Sequence, residues 1–185
     1  MGEQHKKHSR REHLNDFHLN IAGEYVYDGA LYACQNDDAK QRRSKRAVWG
    51  MAAILTVAVA AGGCIPAPGM QNCFYVLLPY LGEFLGAASV IWALAKLGMD
   101  WGMVREYNYK KSVAVLPVRT AVTAVFSLLG IVCELIFFFV NDHAGQTFFA
   151  LLYVLLKLIA LLSVLVLRAE IMQAEWDKLP KKNNF

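Results

Sequence analysis

Charged side chains are scarce in this chain, and long stretches have none. Asp, Glu, Lys and Arg make up 18% of the 185 residues, whereas hydrophobic residues make up 56%. No charged residue occurs between Arg46 and Glu83. This balance excludes an ordinary soluble domain of the same length and indicates segments that lie in lipid.

The apolar runs also lack the alternation of polar and apolar residues that marks a barrel strand. Four runs are predicted to span the membrane, at 47–63, 74–97, 117–140 and 147–167. Each approaches or exceeds the roughly 20 residues that a helix needs to cross a hydrocarbon core. Because only helices and closed barrels satisfy the backbone in lipid, these runs predict helices. The predicted fold is all-α, a polytopic four-helix transmembrane bundle.

The rest of the chain divides around these spans. The predicted parts are an N-terminal segment at 1–46, a transmembrane domain at 47–179 and a tail at 180–185. The last helix is expected to continue beyond residue 167, because Met172, Trp176 and Leu179 recur at helical spacing and Pro180 follows them.

Basic residues are absent from two of the loops between spans, 64–73 and 141–146. Eighteen of the 19 Lys and Arg residues lie near the opposite ends of the spans, and the last is Lys157. The positive-inside rule therefore predicts that both termini are cytoplasmic. The basic residues lie close to the ends of the predicted spans, which favours contact with anionic lipids and disfavours nucleic-acid binding. The compactness of the chain suggests a bacterial plasma membrane.

Recognisable catalytic and metal-binding motifs are missing as well. The sequence has no His-Glu-x-x-His, no glycine-rich phosphate loop and no nucleophile elbow. Four histidines occur within the first 20 residues, but they lie in a solvated basic tail without fixed geometry. We predict no catalytic residue, metal or cofactor, and a lipid-modifying enzyme remains only a third alternative.

Cysteine is sparse, yet two of the four cysteines bracket one loop. Cys64 and Cys73 flank a Pro- and Gly-rich turn on the predicted external side. An oxidising compartment permits a disulfide there, but loop geometry decides whether it forms. The sequence leaves a disulfide between them as an open prediction.

The N-terminal segment contains a turn signal. Asp28 and Gly29 separate two short aromatic and β-branched runs, which predicts a β-hairpin at 24–33. Aromatic residues also recur near the predicted cytoplasmic membrane surface. They are expected to anchor the chain at headgroup depth, with a docking surface for a protein partner as the alternative. These residues are Tyr25, Tyr27, Trp101, Tyr107, Tyr109 and Trp176.

Three ionisable residues lie inside predicted spans, namely Glu83, Glu134 and Lys157. Counting from the outer helix ends places the first and last about 14 and 15 Å deep and Glu134 about 9 Å deep. Alignment of the chain with itself at an offset of 74 residues places Glu83 on Lys157 among matching Leu, Ser and Val positions. We predict that these two residues pair, which leaves Glu134 as the better candidate for carrying a proton.

Small residues near Glu83 predict a close helix contact. Gly82 and Gly86 form a small-xxx-small pair that lets another helix backbone approach. The leading interpretation is a non-enzymatic subunit or accessory of a membrane assembly, in contact with lipids and either a membrane-protein partner or further copies of itself. The alternative is a proton- or cation-coupled transporter of small solutes that uses Glu83, Glu134 and Lys157.

Overall fold

The computed structural model describes residues 17–19, 23, 25–27, 29–98, 101–141 and 147–179. Four long helices dominate the fold: α1 (Asp38–Cys64), α3 (Phe74–Leu97), α5 (Leu116–Val140) and α6 (Thr147–Met172). The short helices α2 (Pro68–Asn72) and α4 (Glu106–Lys111) lie between them. Within these described ranges four helices are long and apolar enough to cross a membrane, which confirms the predicted all-α bundle.

The four long helices form a closed ring of neighbours. Helix α1 contacts α6, α6 contacts α5, α5 contacts α3, and α3 returns to α1. The middle of the ring is filled by small and medium aliphatic side chains, which allow the backbones to approach closely. These core residues are Leu55, Ala58, Val59, Ala87, Ala160 and Val164.

Large apolar side chains cover the outside of this ring. Several of these side chains on the long helices are between 62% and 68% exposed, namely Val57, Leu85, Trp92, Val118 and Leu162. So much exposed apolar surface would drive association in water, whereas in lipid it is the favourable arrangement.

Helix α1 begins well before the predicted start of the first span. It extends back to Asp38 and includes the basic residues from Lys40 to Arg46. Lys and Arg are good helix formers, so the helix continues past the apolar run. The helix therefore starts nine residues before the predicted apolar span at 47–63.

Three chain segments that are far apart in the sequence form one antiparallel sheet. Strand β3 (Leu31–Cys34) lies in the middle, between β4 (Met103–Arg105) and β5 (Trp176–Leu179). The segments before α1, between α3 and α5, and after α6 therefore meet at one end of the bundle. We call this the sheet end, and it corresponds to the predicted cytoplasmic side. The opposite end, which contains residues 65–73, is the loop end.

Part of the predicted hairpin at 24–33 lies outside the described residues, so the hairpin stays a prediction, and the described strands near it pair with other segments. Strand β2 (Tyr25–Tyr27) pairs with β1 (Phe17–Leu19), while both edges of β3 are occupied by β4 and β5. Residues 24 and 28 lie outside the described part of the chain. An isolated two-stranded hairpin is only marginally stable, whereas β3 in the middle of a sheet satisfies its backbone on both sides.

The last helix does not continue to residue 179. It ends at Met172, and residues 176–179 form β5 instead. The backbone N–H of Gln35 donates to the carbonyl of Glu175 at 3.0 Å, at the start of this pairing. Helical spacing was a misleading signal there, because strand pairing with β3 outweighs the local preference. The predicted tail, residues 180–185, lies outside the described residues.

Candidate intramembrane charge site

Glu83 lies on the buried stripe of α3. The buried positions of this helix recur every three or four residues, as one face of a helix requires, and include Val76, Pro79, Glu83, Ala87 and Val90. The glutamate side chain is fully buried, with 0% exposure. Helical periodicity therefore directs this carboxyl group into the bundle interior and away from lipid.

Lys157 lies on the corresponding stripe of α6, and it meets Glu83 directly. Its Nζ donates to Oε2 of Glu83 and forms an ion pair with that group. Ser127 on α5 donates to the other carboxylate oxygen, with 2.5 Å between Oγ and Oε1. Three helices thus converge on one carboxylate. We call Glu83 and Lys157 the charge pair.

Two tyrosine rings flank the ammonium group of Lys157. Its Nζ lies 4.5 Å from the ring centroid of Tyr80 and 5.1 Å from that of Tyr153. Both distances are within the range of cation–π attraction, which is stronger where water is excluded. Gly130 on α5 lies beside the lysine, where a Cβ would make an ordinary contact of 3.7 Å with Lys157 Cε.

The charge pair is therefore an electrostatically satisfied group in the bundle core. Both carboxylate oxygens of Glu83 accept hydrogen bonds, and the side chain of Lys157 is only 2% exposed. A buried pair of this kind stabilises the native packing only while both partners are present. Together with Ser127, the pair connects α3, α5 and α6 through one carboxylate.

Glu134 does not join the charge pair. It lies two helical turns from Ser127 toward the loop end, and its side chain is fully buried. Neither carboxylate oxygen has a hydrogen-bond partner, and among the described residues no ion pair involves Glu134. The three ionisable residues therefore form a pair and a separate acid.

The backbone of Gly69 in α2 covers the Glu134 carboxyl group. The N–H of Gly69 faces the carboxyl, although no hydrogen bond of ordinary geometry forms. A Cβ at Gly69 would collide with Oε2 of Glu134 and would lie 3.2 Å from Phe137 Cδ1. Only glycine permits α2 to approach this closely without a shift of the acid.

Helix α2 folds inward over the loop end. It contacts α3, α5 and α6, and the residues at its start, Ala67, Pro68 and Gly69, are buried. The backbone N–H of Cys73 donates to the carbonyl of Gly69 at 2.9 Å and closes this turn. The first loop at this end is thus a packed cover above Glu134.

The small face of α3 is occupied by another helix of the same chain. A Cβ at Gly82 would meet the ring of Phe126 at 2.5 Å, and a Cβ at Gly86 would meet Thr123 Oγ1 at 2.6 Å. Both neighbours belong to α5. The predicted close approach therefore takes place within the bundle, between α3 and α5.

The two loop cysteines are not bonded to one another in this structure. Cys64 is the exposed last residue of α1, and Cys73 is the partly buried residue before α3. The disulfide stays a prediction for the oxidised protein.

The predicted interfacial aromatics separate into two groups at the sheet end. Trp101 is buried, its ring lies 6.4 Å from that of Trp176, and Tyr109 lies 5.9 Å from Trp176. The ring of Tyr109 also stacks on Tyr32 at 4.0 Å. These rings join the hydrophobic core beneath the sheet. The exposed group is Tyr25, at 75%, and Tyr107, at 40%, while Tyr27 is half-buried with its hydroxyl donating to the carbonyl of Ala30.

Sequence reasoning missed Ser127, Tyr80, Tyr153 and Gly69 as parts of the site. A signal for Ser127 was present, because polar residues recur at helical spacing along α5, and all of them are buried. These residues are Thr120, Thr123, Ser127 and Glu134. The contribution of Gly69 had no local signal, since it depends on how the loop folds over α5.

In the described ranges no three His, Cys, Asp or Glu side chains are grouped as metal ligands would be. Comparison with protein-family models, with curated proteins and with solved structures finds no match. The functional interpretation therefore depends on the geometry of this chain.

Proposed function

We propose that this chain is a non-enzymatic integral membrane protein that works as a subunit or accessory of a membrane assembly. The proposal rests on one observation, namely that the two members of the charge pair bind each other inside the bundle. Glu83 and Lys157 satisfy each other in a core closed to water, with Ser127 on the remaining carboxylate oxygen. Buried pairs are best established as devices that set register and packing.

The sheet end supports the assembly part of this proposal. Strands β4 and β5 are the outer strands of the three-stranded sheet in the described part of the chain, and the outer strand of a sheet is a place where another chain can add a strand. Exposed apolar side chains lie on the strands of this end, including Met103 at 67% and Tyr25 at 75%. The rigid cluster of Trp101, Tyr109 and Trp176 beneath the sheet would hold such a surface in a fixed shape.

Photo-crosslinking in native membranes tests the assembly role. A photoreactive residue at Met103 on the sheet is compared with one at Leu162, which is similarly exposed but lies on a membrane helix. We expect Met103 to give a protein adduct of defined mass and Leu162 to react with lipid. An adduct of twice the chain mass identifies a second copy, and any other mass identifies a different subunit. The proposal fails if Met103 captures no protein and the protein extracted in mild detergent is a lone monomer.

A second function, proton- or cation-coupled transport of a small solute, is favoured by one observation. Glu134 is buried beneath α2 and neither of its oxygens has a hydrogen-bond partner. An acid with a purely structural role would be expected to bind a cation or a hydrogen-bond donor. Purified protein in vesicles tests this function through solute flux driven by a proton gradient. Transport predicts a flux that Glu134→Gln abolishes. Absence of flux, or flux indifferent to both Glu134→Gln and Glu83→Gln, removes this function.

A further inference from the structure

Glu134 has the surroundings of a neutral carboxylic acid. Both of its oxygens are buried and unpartnered, and the side chain has 0% exposure. The N–H of Gly69 faces the carboxyl without an ordinary hydrogen bond, and an ionised carboxylate that lacks a cation is far less stable in such a place than the neutral acid. The proton is therefore the ligand that this position accommodates best.

The charged and titratable groups around Glu134 do not supply a counter-charge. Cys133 is its neighbour on α5, Tyr75 lies at the start of α3, and Tyr153 approaches from α6. Helix α2 has no ionisable side chain. The nearest described cation toward the middle of the bundle is Lys157, whose ammonium group is bound to Glu83.

The cover over this acid is a separate short helix and not part of one of the long helices. Helix α2 is short and is joined to α1 and α3 by extended residues at 65, 67 and 73. Its closest approach to the acid is through Gly69, which has no side chain to interlock with α5. A small outward shift of α2 would open the carboxyl group to the loop end without disturbing the charge pair.

We propose that Glu134 and the Gly69 turn of α2 form a proton-binding site, which is closed in this structure and exchanges its proton with water at the loop end when α2 moves outward. The site is separate from the charge pair, and the proposal does not depend on the assembly role. It assigns to Glu134 a bound proton at neutral pH and to α2 the control of its exchange.

Infrared difference spectroscopy of the full-length protein in lipid vesicles tests the bound proton. We expect a C=O stretching band of a protonated carboxylic acid at neutral pH, which disappears in Glu134→Gln. The same band should remain in Glu83→Gln, the matched variant at the other buried acid. The proposal is overturned if the wild-type protein has no such band, or if the band survives Glu134→Gln. Either result is independent of what crosslinking at the sheet end captures.

The role of α2 is tested through hydrogen–deuterium exchange of that band. In Gly69→Ala the new methyl group must displace either α2 or the acid, so the band should shift in D₂O at least about tenfold faster, as expected of one overpacked methyl group. The control is Gly62→Ala at the same end of the bundle, where a Cβ would make an ordinary 3.9 Å contact with Tyr153. Equal exchange rates in the two variants would overturn control by α2.

Discussion

The two buried glutamates of this protein have the same exposure and opposite surroundings. Glu83 accepts hydrogen bonds from Lys157 and Ser127, whereas neither oxygen of Glu134 has a partner. One is held in the middle of the bundle by three helices, and the other lies beneath a short helix at the loop end. Burial alone therefore does not tell what an intramembrane acid does, because the partners decide whether it is ionised and fixed or neutral and exchangeable.

The largest effect is expected from breaking the charge pair. Lys157→Met leaves Glu83 as an unpaired buried carboxylate, so the free energy of unfolding should fall by about 3–5 kcal/mol. Reversible denaturation in mixed micelles measures the loss. The double variant Glu83→Gln/Lys157→Met removes both charges and should recover most of it. If the single variant is as stable as the wild type, the pair does not hold the bundle.

The hydrogen bond from Ser127 should matter next. Ser127→Ala deprives the Glu83 carboxylate of a donor, which should lower the unfolding free energy by about 1.5–3 kcal/mol, the range for bonds to charged groups. Ser163→Ala is the control, because Ser163 is also buried but donates to the carbonyl of Ile159 in its own helix. If the free energy of unfolding falls equally in the two variants, the hydrogen bond to Glu83 contributes no more than the bond within one helix.

Close packing of α3 on α5 positions Glu83 beside Ser127, and Gly86 permits that packing. Gly86→Ala places a methyl group against Thr123, so we expect a loss of about 1–3 kcal/mol through overpacking. Gly50→Ala on α1 is the matched control, since nothing lies within 4 Å of a Cβ there. Thermal unfolding of the two variants measures the difference. A stable Gly86→Ala protein would mean that the helices separate at low cost.

The smallest effect is expected at Glu134. Glu134→Gln replaces a neutral acid with a neutral amide of similar shape and removes no partner, so stability should change by no more than about 0.5 kcal/mol. Glu83→Gln in the same assay should be clearly destabilising. If the two variants lose equal stability, the contrast between the two acids disappears.

Much of the fold could be predicted because its signals are local. Apolar runs of sufficient length predict membrane helices, and the structure has a helix over each run, with α3 at the predicted bounds. The structure also joins Glu83 to Lys157, the two residues aligned by the 74-residue offset. Helical periodicity and depth together restrict which intramembrane side chains can meet.

The sheet end could not be predicted in the same way. Strand β3 pairs with segments about 70 and 145 residues further along the chain, for example Tyr32 with Val104 and with Lys178. The helical spacing around Trp176 describes local preference only. Pairing with β3 and contact with Trp101 outweighed it.

Composition and spacing along the chain were enough to predict the four apolar spans, the distribution of basic residues between the membrane ends and the pairing of Glu83 with Lys157. The folded structure was needed to show that Ser127 binds the same carboxylate, that Gly69 covers Glu134 and that the neighbour of Gly82 and Gly86 is α5. These outcomes depend on which side chains the helices bring within a few ångströms of one another, and hydrogen bonds, ion pairs and van der Waals contacts act only over such distances.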